Sequence, residues 1–143
     1  MTDCVFCRLA GKSIEAEIVF EDDLVIAFLD SHPIRPGHAQ VIPREHFATF
    51  EDLPEQTATR IMSVAQRVAS ALRRLSGVER VAFLFTGGDI PHAHAHVVPM
   101  HDKTDITSRR YIAEEHLTFR STAAASQSEL AATGDQLRSL LAL

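Results

Sequence analysis

The sequence predicts an α+β domain with roughly five short strands and one main helix, joined by hairpin-length connections in place of repeated strand–helix–strand units. The chain has 143 residues, which is the length of one ordinary domain. Its 45% hydrophobic and 23% charged residues exclude general disorder. The chain contains several short extended runs and one long segment of helical periodicity, and this combination favours α+β over other classes. We expect one domain over residues 1–143.

Short apolar runs predict the strands. They are rich in Val, Ile and Phe and end at proline, glycine or acidic residues, which interrupt extended structure. The predicted strands cover residues 17–20, 24–29, 38–42, 81–85 and 92–98. The first two are expected to form a hairpin.

Helical periodicity appears after the third strand. One long helix is predicted over residues 52–76, because its apolar residues recur at spacings of three, four and seven. Pro54 suits the first turn of this helix and Gly77 its C-terminal cap. A second, C-terminal helix is expected over residues 129–143 despite Gly134.

Charge and hydropathy exclude several function classes. The net charge of −5 has the wrong sign for a protein that binds nucleic acid through phosphates, so an anionic ligand must be held locally. The longest apolar run, residues 24–29, is far shorter than the ~20 residues of a membrane helix. The N-terminus lacks the basic segment of a secretory signal. We expect a cytoplasmic protein without nucleic-acid or membrane partners.

The two cysteines form a Cys-x-x-Cys pair, Cys4 and Cys7. Two cysteines cannot supply a disulfide framework for a chain of this size, so they are expected to be thiols or metal ligands in a reducing compartment. A thioredoxin-like redox site is disfavoured, because such sites follow a strand and no strand is predicted before Cys4.

The most informative segment is an alternating run of histidines, His92, His94 and His96. Residues two apart on a strand point to the same face, so the three imidazoles are expected to line one surface. Each imidazole needs a hydrogen-bond partner when buried, which makes three of them a poor apolar core face. Chemistry is therefore favoured over a purely structural role, while a metal-only site remains open.

This run resembles the histidine triad (HIT) motif. Further segments match the Hint-like branch of that family in the same order, at residues 4–7, 21–23, 27–30, 36–38 and 41–46. The resemblance covers residues 4–100 and leaves residues 101–143 as a C-terminal extension. It implies the HIT fold, a five-stranded antiparallel sheet with helices, and a homodimer that joins two sheets.

The resemblance implies a nucleotide hydrolase or transferase. Its substrates would be purine nucleotide conjugates, namely a phosphoramidate, an acyl-adenylate or a dinucleoside polyphosphate, attacked at the α-phosphate. His94 would be the nucleophile and would form a covalent nucleotidyl-histidine that water hydrolyses. Its Nδ1 must carry the proton so that Nε2 keeps its lone pair. His96 and His38 would hold phosphate oxygens or fix the neighbouring ring.

The resemblance also implies where the nucleoside binds. Asp30 would accept hydrogen bonds from the ribose hydroxyls, although it could simply start the proline-rich turn that follows it. The apolar positions around the base would be Val5, Phe6, Leu9 and Phe28. For Phe28, a place in the core is compatible with this role.

The loop before the histidine run departs from the family pattern. It is shorter and has Gly88 and Asp89 where the family has Gln followed by Ser or Thr. Asp89 either is a general acid or orients a histidine, and we hypothesise orientation, with Thr86 supplying a hydroxyl. Gly87 and Gly88 could offer backbone N–H groups to the anion. In the extension, residues 109–111 could contact distal phosphates or form a solvated charged turn.

The resemblance also implies a structural zinc. Some Hint-like proteins carry a Cys₂His₂ site, and this sequence retains all four positions, Cys4, Cys7, His46 and His92. A set of four protein ligands leaves no open position for water, so such a zinc would be structural. No catalytic metal is required, although polyphosphate substrates often carry Mg²⁺. The rival interpretation is a nucleotide- or zinc-binding regulatory module with little turnover.

Overall fold

The computed structural model describes residues 3–103, 105–106 and 121–142. The roles suggested for residues 109–111 lie outside these described residues. In chain order the elements are α1 (Val5–Ala10), β1 (Ile18–Glu21), β2 (Val25–Leu29), β3 (Ala39–Pro43), α2 (Glu55–Ser76), β4 (Val81–Phe85), β5 (Ala95–Pro99) and α3 (Gln127–Leu141). None of the described helices is both long and apolar enough to cross a membrane.

The five strands form one antiparallel sheet in the order β1-β2-β3-β5-β4. This confirms the predicted α+β class with a five-stranded sheet, one main helix and a C-terminal helix. β5 lies between β3 and β4, so the last strand in sequence is inserted next to the end of the sheet. The insertion brings the histidine run beside β3, which begins immediately after His38.

The two faces of the sheet are covered differently. One face packs against α2 and α3 through alternate residues of the central strands, such as Ala27, Val41 and Val97. The opposite face carries Ile26, Phe28 and Ile42, which pack against Phe6 and Leu9 of α1. β2 and β3 are therefore buried on both faces, which explains their nearly continuous apolar sequences.

Both long helices begin at a different residue from the one predicted. α2 begins at Glu55 because residues 50–52 form a separate 3-10 turn and Leu53 is extended. α3 begins two residues before the predicted start. Ser126 caps it by accepting a hydrogen bond from the Glu129 backbone, while the Glu129 side chain accepts one from the Ser126 backbone. Helix α1 was not predicted, since six residues are too few to show a helical period.

Gly37 is the tight point between the proline-rich loop and β3. It has a φ of +94°, and a Cβ atom placed there would lie 2.7 Å from Cδ2 of Leu72 on α2. Leu72 is fully buried, so its side chain has little room to move. Glycine is therefore required here for backbone conformation and for the approach of the loop to α2.

We expect Gly37→Ala to lower the free energy of unfolding by about 2–4 kcal/mol, through backbone strain and the contact with Leu72. Gly77→Ala is the matched control, because Gly77 also has a positive φ, +69°, but a Cβ there meets nothing within 4 Å. The control should lose about 1 kcal/mol. Chemical denaturation measures both, and equal losses would show that the contact with Leu72 is unimportant.

Candidate active site

The histidine run lies at the start of β5. The predicted strand 92–98 is shorter in the structure, where β5 begins only at Ala95. The backbone N–H of Ala93 donates to the carbonyl of Phe47 at 2.7 Å, so this part of the run pairs with the segment after β3 and not with the sheet. The ring centroids of His94 and His96 are nevertheless 5.2 Å apart. Two of the three imidazoles therefore share one surface directly.

One hydrogen bond determines the tautomer of His94. Its Nδ1 lies 2.7 Å from the carbonyl oxygen of His92. A carbonyl oxygen only accepts, so Nδ1 carries the proton and donates, and Nε2 of the neutral ring keeps its lone pair. His94 is only 5% exposed. Its ring is held edge-on against Phe6, with the ring centroids 5.3 Å apart.

A cavity of about 250 Å³ opens beside His94. Its lining includes Thr86 and Gly87 from the loop after β4, and Phe50 and Glu51 from the segment before α2. The buried imidazole therefore adjoins a space large enough for a small group. Thr86 and Gly87 belong to the loop before the histidine run that departs from the HIT pattern, so part of that loop lines the cavity.

His38 and His96 form a hydrogen-bonded pair. The backbone N–H of Ile34 donates to Nδ1 of His38 at 3.1 Å, so the neutral His38 ring has its proton on Nε2. That Nε2 lies 2.9 Å from Nδ1 of His96 and donates to it. Because Nδ1 of His96 accepts this hydrogen bond, the proton of the neutral His96 ring is on Nε2. His96 therefore has an N–H donor at Nε2.

Burial keeps both rings of this pair neutral. It lowers the pKa of His38 from its ordinary value of 6.5 to about 4, although the charge of Asp30 opposes the shift. Burial also lowers the pKa of His96, with a further contribution from His94, while Asp30 and Asp89 oppose it. At neutral pH this pair therefore consists of two neutral imidazoles.

Asp30 makes the turn contact that the sequence allowed. Its Oδ1 accepts a hydrogen bond from the backbone N–H of His32 at 2.8 Å, so it does start the proline-rich turn. Its Oδ2 accepts from Nε2 of Gln40 at 2.7 Å and lies 3.7 Å from Nε2 of His38. Gln40 was missed in the sequence. The signal was there, as one amide in the otherwise apolar strand β3.

Of the four apolar positions assigned to the base, three are core residues. Phe6, Leu9 and Phe28 are each about 95% buried, and the ring centroids of Phe6 and Phe28 are 5.7 Å apart. Val5 is the exception, with 38% of its surface exposed. Phe6, Leu9 and Phe28 belong to one apolar cluster that contacts His94 through Phe6, and this position is compatible with both a core and a binding role.

The loop after β4 is exposed throughout residues 86–89. Gly87 has a φ of +63°, which glycine adopts without strain. Within the described part of the chain, Asp89 forms no hydrogen bond with a histidine. Its carboxylate acts on His96 only through space, where its charge favours protonation.

A second constellation includes His92, the first residue of the histidine run. The ligand atoms of Cys4, Cys7, His46 and His92 all lie within 4.8 Å of one another. Sγ of Cys4 is 3.4 Å from Nδ1 of His92, and Sγ of Cys7 is 3.3 Å from Nδ1 of His46. The structure thus brings together all four residues that the sequence suggested as metal ligands, two of them on or next to α1.

The donor set of this cluster fits a zinc ion. Nε2 of His92 lies 2.9 Å from the carbonyl oxygen of Pro43 and donates to it, so Nδ1 is unprotonated and directed at the thiols. Such a backbone acceptor is the usual support of a metal-binding histidine. Two cysteines and two histidines are a common tetrahedral zinc set.

The side chains of Asp30, His38 and His96 also lie within 4.8 Å of one another, as a metal site would require. Their hydrogen bonds already account for this grouping. Nε2 of His38 holds the proton that it donates to His96, so it has no lone pair for an ion. We therefore interpret this second group as a hydrogen-bond network.

Comparisons with known proteins show which family the chain resembles. The model of the family described as HIT domain matches residues 11–103. An uncharacterized HIT-like protein of Borreliella burgdorferi is 35% identical over 106 residues, which is 69% of this chain and 76% of that protein. An adenosine 5′-monophosphoramidase of Schizosaccharomyces pombe is 33% identical over 101 residues, 67% of this chain and 73% of that protein.

Among solved structures, the chain is similar to a Zn-bound histidine triad family protein from Mycobacterium smegmatis. The two share 27% sequence identity with a TM-score of 0.75, and the match covers 99% of this chain and 94% of the other. The likeness therefore includes the N-terminal segment with both cysteines, which lies outside the residues matched by the family model.

Proposed function

Because the chain belongs to the HIT domain family, we propose that it hydrolyses purine nucleotide conjugates at the α-phosphate, with His94 as the nucleophile. The observation that carries this proposal is the hydrogen bond from Nδ1 of His94 to the carbonyl of His92, because it leaves the Nε2 lone pair available. A relative named as an adenosine 5′-monophosphoramidase supports an adenosine phosphoramidate as the first substrate to test.

The proposed reaction has two displacement steps. In the first, the Nε2 lone pair of His94 forms a bond to the α-phosphorus, and the bond from phosphorus to the leaving group breaks. The leaving group takes that electron pair and a proton from solvent water. In the second, a water oxygen bonds to phosphorus as the P–N bond breaks, the electron pair returns to Nε2, and the water proton is released. The products are a nucleoside monophosphate and the free leaving group.

His96 and His38 support the phosphate in this proposal. With its Nδ1 occupied by His38, His96 directs an N–H at a phosphate oxygen and stabilises the charge that develops there. Backbone N–H groups of Gly87 and Gly88 would add neutral donors from the loop. Asp89 would act only through its charge, which favours the protonated form of His96.

The nucleoside would lie over the apolar wall of Phe6, Leu9 and Phe28, with the exposed Val5 of α1 as a further apolar contact. Phe6 supports this placement, because it contacts both Phe28 and the ring of His94. Asp30 would accept hydrogen bonds from the ribose, since each of its oxygens has lone pairs beyond the bonds described above. Acyl-adenylates and dinucleoside polyphosphates are the other substrate classes that this arrangement would accept.

His94→Ala should lower turnover of an adenosine phosphoramidate at least about 10³-fold, while its affinity for AMP changes little. His32→Ala removes an exposed imidazole outside the site and is the matched control. Rates come from product assays, and mass spectrometry of quenched wild-type protein should find a nucleotidyl group on His94. A wild type that binds AMP and does not hydrolyse any of the three substrate classes would instead support a regulatory binding module.

The same assay tests Asp89. Asp89→Asn removes its charge and should alter the pH profile of turnover, since that charge favours protonation of His96. An unchanged rate and pH profile would exclude Asp89 from the mechanism.

We propose that Cys4, Cys7, His46 and His92 hold one structural zinc ion. The tautomer of His92 and the short distances among the four ligand atoms support this assignment. The ion would connect α1 to the segment after β3 and the segment before β5 without taking part in the reaction. Two reduced thiols of this kind are consistent with the cytoplasm.

Metal analysis of the wild type should give about one zinc per chain, and Cys7→Ser should lose it. Saturating zinc should stabilise the wild type by about 3 kcal/mol at 100 times its Kd. The His32→Ala variant should retain both the zinc and the stability. A wild type whose thermal unfolding does not respond to zinc or to a chelator would contradict the assignment.

We further propose that the protein is a homodimer joined at β4. This strand is at the end of the sheet. The backbone N–H of Met100, just after β5, donates to the carbonyl of Arg80, just before β4, at 3.1 Å. This hydrogen bond fixes which residues of β4 direct their backbone groups at β5. The hydrogen-bonding groups of residues 81, 83 and 85 therefore face away from β5. Phe50, which is 58% exposed, stacks on Phe85 beside this edge. A second copy would pair with the edge and cover the aromatic residues.

Light scattering should give twice the chain mass for the wild type. Phe50→Lys should shift the equilibrium towards the monomer, because it places a charge at the proposed interface. Ile34→Lys, a charge on an exposed apolar residue of the loop before β3, should leave the dimer intact. A monomeric wild type at micromolar concentration would overturn the proposal.

A further inference from the structure

Gln40 is a buried amide in the middle of β3. It is 8% exposed and lies in a strand whose other residues are apolar. Its Nε2 donates to Oδ2 of Asp30 at 2.7 Å. Because a carboxylate only accepts, this contact determines which end of the amide is the nitrogen and which the oxygen.

The other end of this amide has no such contact. Oε1 of Gln40 is buried and has no hydrogen-bond partner among the residues that the structure describes. A buried carbonyl oxygen without a donor destabilises the protein, and such atoms are uncommon in native proteins. The atom is thus an acceptor held in place without a donor, and a donor from a bound ligand would satisfy it.

The register of the sheet places Gln40 between two parts of the candidate site. Phe28 on β2 is paired with Gln40, and Gln40 is paired with His96 on β5. The three residues form one row across the sheet on the face opposite α2, since their neighbours Leu29, Ala39 and Val97 pack on the α2 side. The row runs from the apolar wall to the histidine pair.

A nucleotide has the same order of groups, with an apolar base, a hydroxyl-bearing sugar and a phosphate. Resting on the proposed function, we propose that Gln40 is a further binding residue and that its Oε1 accepts a hydrogen bond from a sugar hydroxyl of the bound nucleotide. Phosphate oxygens carry no proton to donate at neutral pH, whereas a hydroxyl does. The two ends of one amide are about 2.2 Å apart, so Oε1 lies within about 5 Å of Oδ2 of Asp30. Two acceptors at this separation suit two adjacent hydroxyls on one ring.

The test compares AMP, 2′-deoxy-AMP and 3′-deoxy-AMP, titrated calorimetrically into the full-length wild type and Gln40→Leu. In the wild type, removal of either hydroxyl should weaken binding about tenfold. Gln40→Leu should weaken AMP binding to a similar extent. It should also abolish the penalty for one of the two deoxynucleotides and keep the penalty for the other, which Asp30 would still bind.

Other results overturn the inference. If Gln40→Leu binds AMP as tightly as the wild type, Oε1 does not contact the nucleotide. If both deoxynucleotide penalties shrink together, Gln40 acts only through Asp30 and is a positioning residue. Gln66→Leu, the same change on the exposed face of α2, is the matched control and should behave as the wild type. Thermal unfolding of each variant checks that the fold is retained.

The two proposals fail in different ways. If the nucleotides bind with the expected pattern but no conjugate is hydrolysed, the hydrolase proposal is wrong and the role of Gln40 stands. If hydrolysis proceeds through His94 and the hydroxyls make no difference to wild-type binding, only the role of Gln40 is wrong. A wild type that binds no nucleotide overturns both.

Discussion

The rest of the site depends on one hydrogen bond, from Nδ1 of His94 to the carbonyl of His92. His92 is held at both ends, because its Nε2 donates to Pro43 while its Nδ1 lies against Cys4. The carbonyl that selects the tautomer of His94 therefore belongs to a residue with no freedom to move. A zinc ion on the cluster would strengthen this restraint without touching the substrate, which is a physical reason for a structural metal beside the proposed nucleophile.

The sheet supplies the second constraint. Alternation sends Ala27, Val41 and Val97 to the side of α2 and α3, and leaves Phe28, Gln40 and His96 on the opposite face. The core on one side thus fixes the spacing of polar groups on the other. A shift of register by one residue would bury the imidazole of His96 against α2. The packing of α2 therefore maintains the register that keeps His96 on the opposite face.

The sequence predicted those parts of the molecule that repeat a period or a motif. The strands, α2 and the grouping of Cys4 and Cys7 with two distant histidines follow from such patterns, the last only through the resemblance to a family. It could not predict α1, which is stabilised by the packing of Phe6 and Leu9 and not by its own period. Nor could it predict the start of β5 at residue 95, because Ala93 pairs with the carbonyl of Phe47, a contact between distant segments. Gln40 was passed over because its contact with Asp30 exists only after β2 and β3 pair.

The neutrality of His38 and His96 determines how this acidic chain would hold the phosphate of the proposed substrate. With a net charge of −5, the protein attracts no phosphate at long range. Burial holds the pKa of His38 at about 4 and lowers that of His96, so these rings offer N–H dipoles in place of full charges. A buried imidazolium would bind phosphate more strongly in the ground state, but it would require desolvation of its charge and would also retain the product. In the proposed reaction, neutral donors would stabilise the extra charge that develops during attack on phosphorus and would release the monophosphate afterwards. The same burial that weakens the attraction of anions would therefore favour turnover in the proposed reaction.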